Sequence, residues 1–362
     1  MSLFARIRNA FQSRVAATVA RRHTLFPKIK FNSFIPVHYK RLKAYNPDII
    51  YAHDLSTLPL ASLVAREVGS KLVFDSHELE THRNPPLNWI QRKQVHSVEK
   101  KYLPRCNYVT TVCESIADVL SAEYNLPDVG IIYNAPYLNG GTSHPRWNGR
   151  AAFDLRADAG LSPNDFAIVY VGLITINRGI EFVLEAIEHL PTAIKLVAVG
   201  PGSEEKKAEL IELAREKGLA SRFIILDPVN PPDVFRYIRT ADASIIPITP
   251  ITLSYEVALP NKFFESGFSG LPIICADLVE MTKLMKEYQL GITYDALDVD
   301  KCADAILSVY KNPRRYAPSA ENVRAFRKRF AWESQEPFIQ DIAAQLIETG
   351  KVSKTTHGAA RP

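Results

Sequence analysis

Apolar positions along this chain fall into two alternating series. Short runs rich in Val, Ile and Tyr alternate with longer segments whose apolar residues recur every three or four positions. Continuous short runs predict buried strands, and the 3.6-residue period predicts amphipathic helices. In the first series strands are expected at 48–52, 71–75, 108–112 and 131–133, with helices at 58–68, 88–103 and 115–124. In the second, strands are expected at 166–172, 194–199, 223–226, 243–246, 271–275 and 292–294. Its helices are expected at 180–189, 204–218, 232–240, from Pro260 to just before Gly270, and at 299–311. Residues 318–348 read as helical, with Trp332 in the middle. Such alternation predicts two α/β units, each a mainly parallel, doubly wound sheet.

The stretch that punctuates these series divides the chain. Residues 135–150 are rich in Pro, Gly, Asn and Ser and have no apolar period. This sets a first domain at 47–134, a linker at 135–161, a second domain at 162–314, C-terminal helices at 315–349 and a polar tail at 350–362. Two open units joined by a linker predict a cleft between them. In open α/β sheets, ligands bind at the carboxyl ends of strands, so the cleft is the default place for chemistry.

One segment carries more chemical information than the rest. The apolar run Ala243 to Ile246 reads as a parallel strand, and Pro260 suits the first position of the helix that follows. Gly270 and Pro272 end that helix. A helix opening just past a strand favours an anion at its free amides, here those of Asn261 and Lys262. Glu265 sits between Phe264 and Phe268, which mark the buried face. A carboxylate so placed needs hydrogen-bond donors, such as a ribose diol, unless it turns out to solvent from a capped core helix. Arg178, in the loop after the strand at 166–172, opens the next helix and suits a phosphate or an ordinary surface role. In the first domain, His53 and Asp54 end one strand and His77 follows the next, with Glu78 beside it. Histidine titrates in a useful range and a nearby carboxylate orients it, although a histidine at a strand's carboxyl end is more often structural than catalytic. Asn134, Asp242, Glu99 and Tyr255 read as structural. No GxSxG elbow, Walker A loop or GxGxxG is present.

Charge changes the picture at one end only. The chain of 362 residues has a net charge of +5, yet residues 1–46 hold ten Lys/Arg and no Asp or Glu, leaving 34 basic against 39 acidic groups elsewhere. Leu3, Phe4, Ile7, Phe11, Val15 and Val19 recur at helical spacing among those arginines. An amphipathic basic helix suits an anionic membrane surface. A docked helix with a solvated basic face and an organelle-targeting peptide are the other readings. No stacking platform accompanies the charge, so nucleic acid is not an expected partner. No run reaches the length of a membrane span, and no signal peptide is evident. Cys106, Cys113, Cys275 and Cys302 lack metal-ligand spacing, which predicts buried thiols, a reducing cytosol and no metal site.

From about Pro47 to Glu348 the chain resembles the retaining GT-B glycosyltransferases of family 4. The resemblance rests on Asp48-Ile-Ile-Tyr-Ala-His-Asp54, Phe74-Asp-Ser-His-Glu78, Tyr108 to Ala117, Ile132-Tyr-Asn-Ala-Pro136 and Tyr170-Val-Gly-Leu173 with the loop to Gly179. Val199-Gly-Pro-Gly202, Ala241-Asp242, Leu259-Pro-Asn-Lys-Phe-Phe-Glu265 and Gly270-Leu-Pro272 complete it. It implies two Rossmann-like domains, a UDP- or GDP-sugar as donor, no cofactor and no metal. By this resemblance Glu265, Asn261, Lys262, Gly172 and Gly202 bind the donor. Arg178 neutralises the leaving diphosphate and His77 lies near the transferred sugar. His53, Asp54 and Glu78 fall on the acceptor side, and a lipid-linked or envelope glycan is the expected acceptor at the inner face of a membrane. A non-catalytic sugar-nucleotide-binding protein and a sugar-nucleotide epimerase are the alternatives. Three departures stand out. The first of the family's paired glutamates is Val257 here, with Glu256 one residue off, and the arginine expected after Gly172 is Leu173. The usual first strand and Gly-rich loop of the first domain are missing, so that domain looks shortened and a partner chain or a second copy is a possible complement.

Overall fold

The computed structural model describes residues 31–138 and 154–353. The chain forms two compact units. One runs to Ile132 and adds Thr252–Ser254 and the chain from Phe338; the other holds Tyr133–Ile251 and Tyr255–Pro337.

In the first unit the order is α1 (Phe34–Ala44), β1 (Ile49–His53), α2 (Leu58–Val68), β2 (Lys71–Ser76), α3 (Trp89–Tyr102), β3 (Tyr108–Thr111), α4 (Glu114–Tyr124) and β4 (Gly130–Ile131). Its sheet has the order β1-β2-β3-β4, parallel throughout. β2 and β3 are buried along almost their whole length, as a parallel sheet covered on both faces requires. Helix α2 ends at Gly69 in the left-handed conformation, and an Asn88/Gln91 capping box starts α3. The basic segment 1–46 is described only from residue 31; its expected amphipathic stretch 3–19 lies outside the described residues. The described part is docked. Phe31 is 1% exposed, and Tyr39 and Lys43 of α1 both bond to Glu67 of α2, the lysine at 2.8 Å.

The second unit contains α5 (Leu155–Asp158), β5 (Phe166–Val171), α6 (Ile180–Ile187), β6 (Ile194–Val199), α7 (Glu204–Glu216), β7 (Phe223–Leu226), α8 (Val234–Ile238), β8 (Ala243–Ile246) and α9 (Leu253–Glu256). It continues with α10 (Asn261–Ser269), β9 (Ile273–Ala276), α11 (Val279–Tyr288), β10 (Gly291–Tyr294), α12 (Val299–Lys311), α13 (Pro313–Tyr316) and α14 (Ala320–Phe330). Helix α15 (Trp332–Glu348) begins in this unit, and the chain passes to the first one at Phe338. The sheet order is β10-β9-β8-β5-β6-β7, all parallel. Strand order therefore reverses between β5 and β8, the switch point at which such sheets bind ligands.

Three expectations change. Residues 154–161 are part of the second unit and not linker: Leu155 is fully buried in its core, and Arg156 reaches Asp242 at 2.6 Å. Asp242 also accepts the Ala167 amide at 2.7 Å, in keeping with its structural reading. Residues 279–288, assigned no element above, form α11. The helical stretch 318–348 breaks at Ala331, whose extended ψ of 146° stops α14, so Trp332 opens α15 and does not sit inside a helix. The Trp332 amide donates to the Pro136 carbonyl at 3.2 Å, which supplies that helix start with a partner. The expected tail falls mainly beyond the described residues, which end at 353. No disulfide joins the four cysteines; Cys113, Cys275 and Cys302 are buried and Cys106 is partly so.

Candidate functional site

At the switch point of the second unit the loop after β5 and the start of α10 share a cavity of ≈ 490 Å³. That volume lies within the usual range for small-molecule sites. Gly172, Arg178, Gly200, Pro201, Asn261, Lys262 and Glu265 are among its lining residues. Backbone packing makes the cavity floor: a Cβ on Gly200 would lie 1.9 Å from the Gly172 carbonyl oxygen, so only glycine lets the two loops meet. Pro260 precedes α10 in extended conformation, and no side chain caps the helix. The Phe263 amide bonds the Pro260 carbonyl at 2.9 Å; the amides ahead of it and the positive end of the dipole are left for something else.

Two cations lie at this helix start. Lys262 is only 7% exposed, yet its Nζ has no hydrogen-bond partner. The ammonium rests 4.0 Å from the centre of the Tyr170 ring, whose hydroxyl donates to the Leu173 carbonyl at 3.0 Å. Burial, reinforced by the charge of Arg178, pulls the Lys262 pKa down to about 7 against an opposing pull from Glu265. The Arg178 guanidinium stands 5.9 Å over Tyr255, and its buried Nε also lacks a partner. Glu265 lines the cavity, partly exposed, and burial pushes its carboxyl up to about 7 while Lys262 opposes the rise. Two donors without acceptors beside an uncapped helix start fit an anion, and an acid between neutral and charged fits hydroxyl ligands.

Of the donor-side residues read from sequence, five line this cavity: Glu265, Asn261, Lys262, Gly172 and Arg178. Gly202 does not. It pairs with Ile174 in an isolated bridge, and the glycine of that turn that lines the cavity is Gly200. The sequence reading used Lys262 for its amide alone; its buried side chain is the stronger feature.

The first unit gathers a second cluster at the carboxyl ends of β1 and β2. His53 Nδ1 lies 3.0 Å and His77 Nε2 2.9 Å from Asp75 Oδ2, and Thr110 donates to Asp75 Oδ1 at 2.8 Å. The other ring nitrogen of His77 faces Asp54 Oδ1 at 3.4 Å. Burial alone would raise the Asp75 carboxyl, but the bonds from His53, His77 and Thr110 outweigh it and hold it well below the usual carboxylate range. Hydrogen bonding to Asp75 raises both imidazoles, against desolvation. The cluster brings together His77, expected near the transferred sugar, and two of the expected acceptor-side residues, His53 and Asp54. Glu78 acts on His77 by its charge, among the weaker influences on that ring. Asp75 and Thr110 are new. An aspartate closing the apolar run Leu72-Val-Phe74 while still on the strand is the signal that marks the first of them.

Two family models match the chain: "Glycosyl transferases group 1" over residues 165–312 and "Glycosyltransferase Family 4" over residues 4–135. The second match begins inside the basic N-terminal segment. Among curated proteins, the chain is 26% identical over 196 residues to a D-inositol 3-phosphate glycosyltransferase of Xylanimonas cellulosilytica, covering 54% of this chain and 46% of that one. It is 23% identical over 320 residues to an uncharacterized glycosyltransferase of Methanocaldococcus jannaschii, covering 86% and 77%. The chain thus spans about half the length of the inositol-phosphate relative. Among solved structures, Anabaena HepE in complex with UDP and glucose superposes with a TM-score of 0.70 at 16% identity, over 87% of this chain and 83% of that one. A sucrose-phosphate synthase from Thermosynechococcus elongatus gives 0.68 at 18% identity, over 86% and 78%. At such identities the likeness concerns the fold, the paired parallel α/β units of the GT-B type. With each unit matched by a model of the same enzyme group, the chain belongs to the group 1, family 4 glycosyltransferases.

Proposed function

We propose that this protein is a retaining, metal-independent glycosyltransferase. It takes a sugar from a UDP- or GDP-linked donor and passes it to a lipid-linked or envelope-glycan acceptor at a membrane surface. The observation that carries the donor half is the Lys262 ammonium, buried without a partner at an uncapped helix start. A diphosphate satisfies that ammonium, the adjacent amides and Arg178 together. HepE, similar in fold, was solved with UDP, and this supports a nucleotide ligand.

In this mechanism the bond from the anomeric carbon to the diphosphate oxygen breaks, and negative charge grows on the leaving phosphate. Lys262 and Arg178 stabilise that charge in a site partly screened from water. The leaving phosphate oxygen takes the acceptor hydroxyl's proton, and the acceptor oxygen bonds to the same face of the sugar. Glu265 grips the ribose hydroxyls. His77 lies near the transferred sugar, and His53, Asp54 and Glu78 serve the acceptor side, roles that rest on the family resemblance.

The test is a panel of UDP-, GDP- and dTDP-sugars read by thermal shift and by products, with Glu265→Ala as control. One base class is expected to stabilise the wild-type protein and to yield free nucleoside diphosphate with transfer. Glu265→Ala is expected to lose most of the stabilisation. A full shift in the variant contradicts the ribose assignment, and an altered but intact sugar nucleotide contradicts transfer.

A further inference from the structure

We infer, resting on the donor reading above, that Tyr170 is a positioning residue for the leaving diphosphate: its ring seats the Lys262 ammonium, and its hydroxyl fixes the loop that leads to Arg178. Tyr170 is 1% exposed on β5 and is not among the residues that line the cavity, so it acts through its neighbours. Its ring centre lies 4.0 Å from Lys262 Nζ, inside the roughly 6 Å reach of a cation–π contact. Among the described residues no acid pairs with that ammonium and no acceptor bonds it.

A carboxylate in the place of that ring would neutralise the ammonium and occupy its N–H groups, and a phosphate would have to displace it. A ring face attracts the charge yet presents no lone pair, so the N–H groups stay available to an anion. The hydroxyl acts on the second cation. It donates to the Leu173 carbonyl at 3.0 Å. Leu173 follows Gly172, whose φ of 127° turns the chain into the loop that reaches Arg178. The same loop is pinned again by the Ile174 amide, which donates to the Pro201 carbonyl at 2.7 Å. Arg178 in turn stands over a ring, that of Tyr255 at 5.9 Å, and its buried Nε has no partner. Both cations of the site thus rest against tyrosines. Tyr170 bears on both, on one through its ring and on the other through its hydroxyl.

The full chain, carrying carbon-13 at lysine Cε, is titrated by NMR, with Lys262→Met to identify the signal; calorimetry measures UDP and GDP affinity. The charges acting on Lys262 in this titration are those of Arg178 and Glu265. Tyr170→Phe keeps the ring and loses the tether. Lys262 is expected to titrate as in wild type, with the nucleotide bound about 2- to 10-fold more weakly, the scale of one neutral hydrogen bond. Tyr170→Leu loses both, so Lys262 is expected to shed its proton at lower pH and affinity to fall about 10- to 100-fold. Tyr170→Met takes its place if that variant does not fold. Val169→Ala, in the core on the other face of β5, is expected to lose stability in urea and to change neither reading. An unchanged Lys262 titration in Tyr170→Leu, or full nucleotide affinity in Tyr170→Phe, overturns the assignment. A wild-type chain that binds neither UDP nor GDP refutes the donor reading instead, and the titration still decides whether the ring holds the ammonium.

Discussion

Lys262 carries its ammonium where burial works against it. Its folded pKa falls from 10.5 to about 7, so below pH 7 the charge is present in folded and unfolded chains alike and the desolvation cost is complete. As pH rises from 7 toward 10.5 the folded chain releases the proton first and the cost shrinks. The stability associated with this group is therefore present above its ordinary pKa and lost as pH falls through about 7. Lys262→Met is expected to stabilise the ligand-free protein by about 1–3 kcal/mol at pH 6 and by less at pH 9. The same change should weaken UDP binding by roughly 10- to 100-fold, the scale of a charged hydrogen bond. Melting curves at the two pH values and calorimetry with UDP read both effects; a variant less stable than wild type at pH 6 contradicts the argument. Arg178 is legible in sequence because it follows a strand end at a helix start, and Glu265 because it stands between Phe264 and Phe268 on the buried face of such a helix. The Lys262 side chain is not, since Tyr170, the ring beneath it, is ninety-two residues away and only the folded sheet joins them.

Helix α10 is held by aromatic packing from α14. The Phe326 ring centre lies 6.1 Å from those of Phe263 and Phe264, 5.8 Å from that of Phe268 and 4.8 Å from that of Phe330. Gly267 admits it: a Cβ there would fall 2.4 Å from Phe326 Cε1. Alanine is the better helix former by about 1 kcal/mol, but the ring has no room to retreat within a dense core. Gly267→Ala is expected to cost a net 1–3 kcal/mol or so in urea unfolding. A midpoint at or above wild type would show that the ring can yield. At this scale the apolar pattern read well. β6, β7 and α12 have the bounds expected from sequence, and the strand before α10 also agrees. Helix α11 escaped although Met281, Leu284, Met285 and Tyr288 recur at helical spacing and are buried. Its buried Glu280 and the surrounding lysines and glutamates thin the apolar signal. Strand β4, only two residues long, carries too little pattern for its bounds to be read.

Across the whole molecule, positive charge is concentrated at one end, where ten basic residues and no acidic ones fall within 1–46. Among the described residues of that stretch, Lys43 pairs with Glu67 at 2.8 Å. Full-length protein is expected to sediment with anionic vesicles and to lose that binding as salt rises, because exposed charges are screened within about 8 Å at physiological ionic strength. Removal of residues 1–30, which leaves Phe31 and α1 in place, should reduce binding at least tenfold; equal sedimentation would dismiss the membrane reading. No helix of the described residues is long and apolar enough to cross a membrane. The four cysteines have a practical bearing. Burial pushes the Cys106 and Cys302 thiols up to about 12 and raises Cys275 as well, and Cys113 is fully covered. Thiolates do the reacting, so alkylating reagents should find this chain almost inert near neutral pH. A single new cysteine at an exposed position, such as Leu297→Cys, would then take a dye or spin label by itself, with every native cysteine left in place.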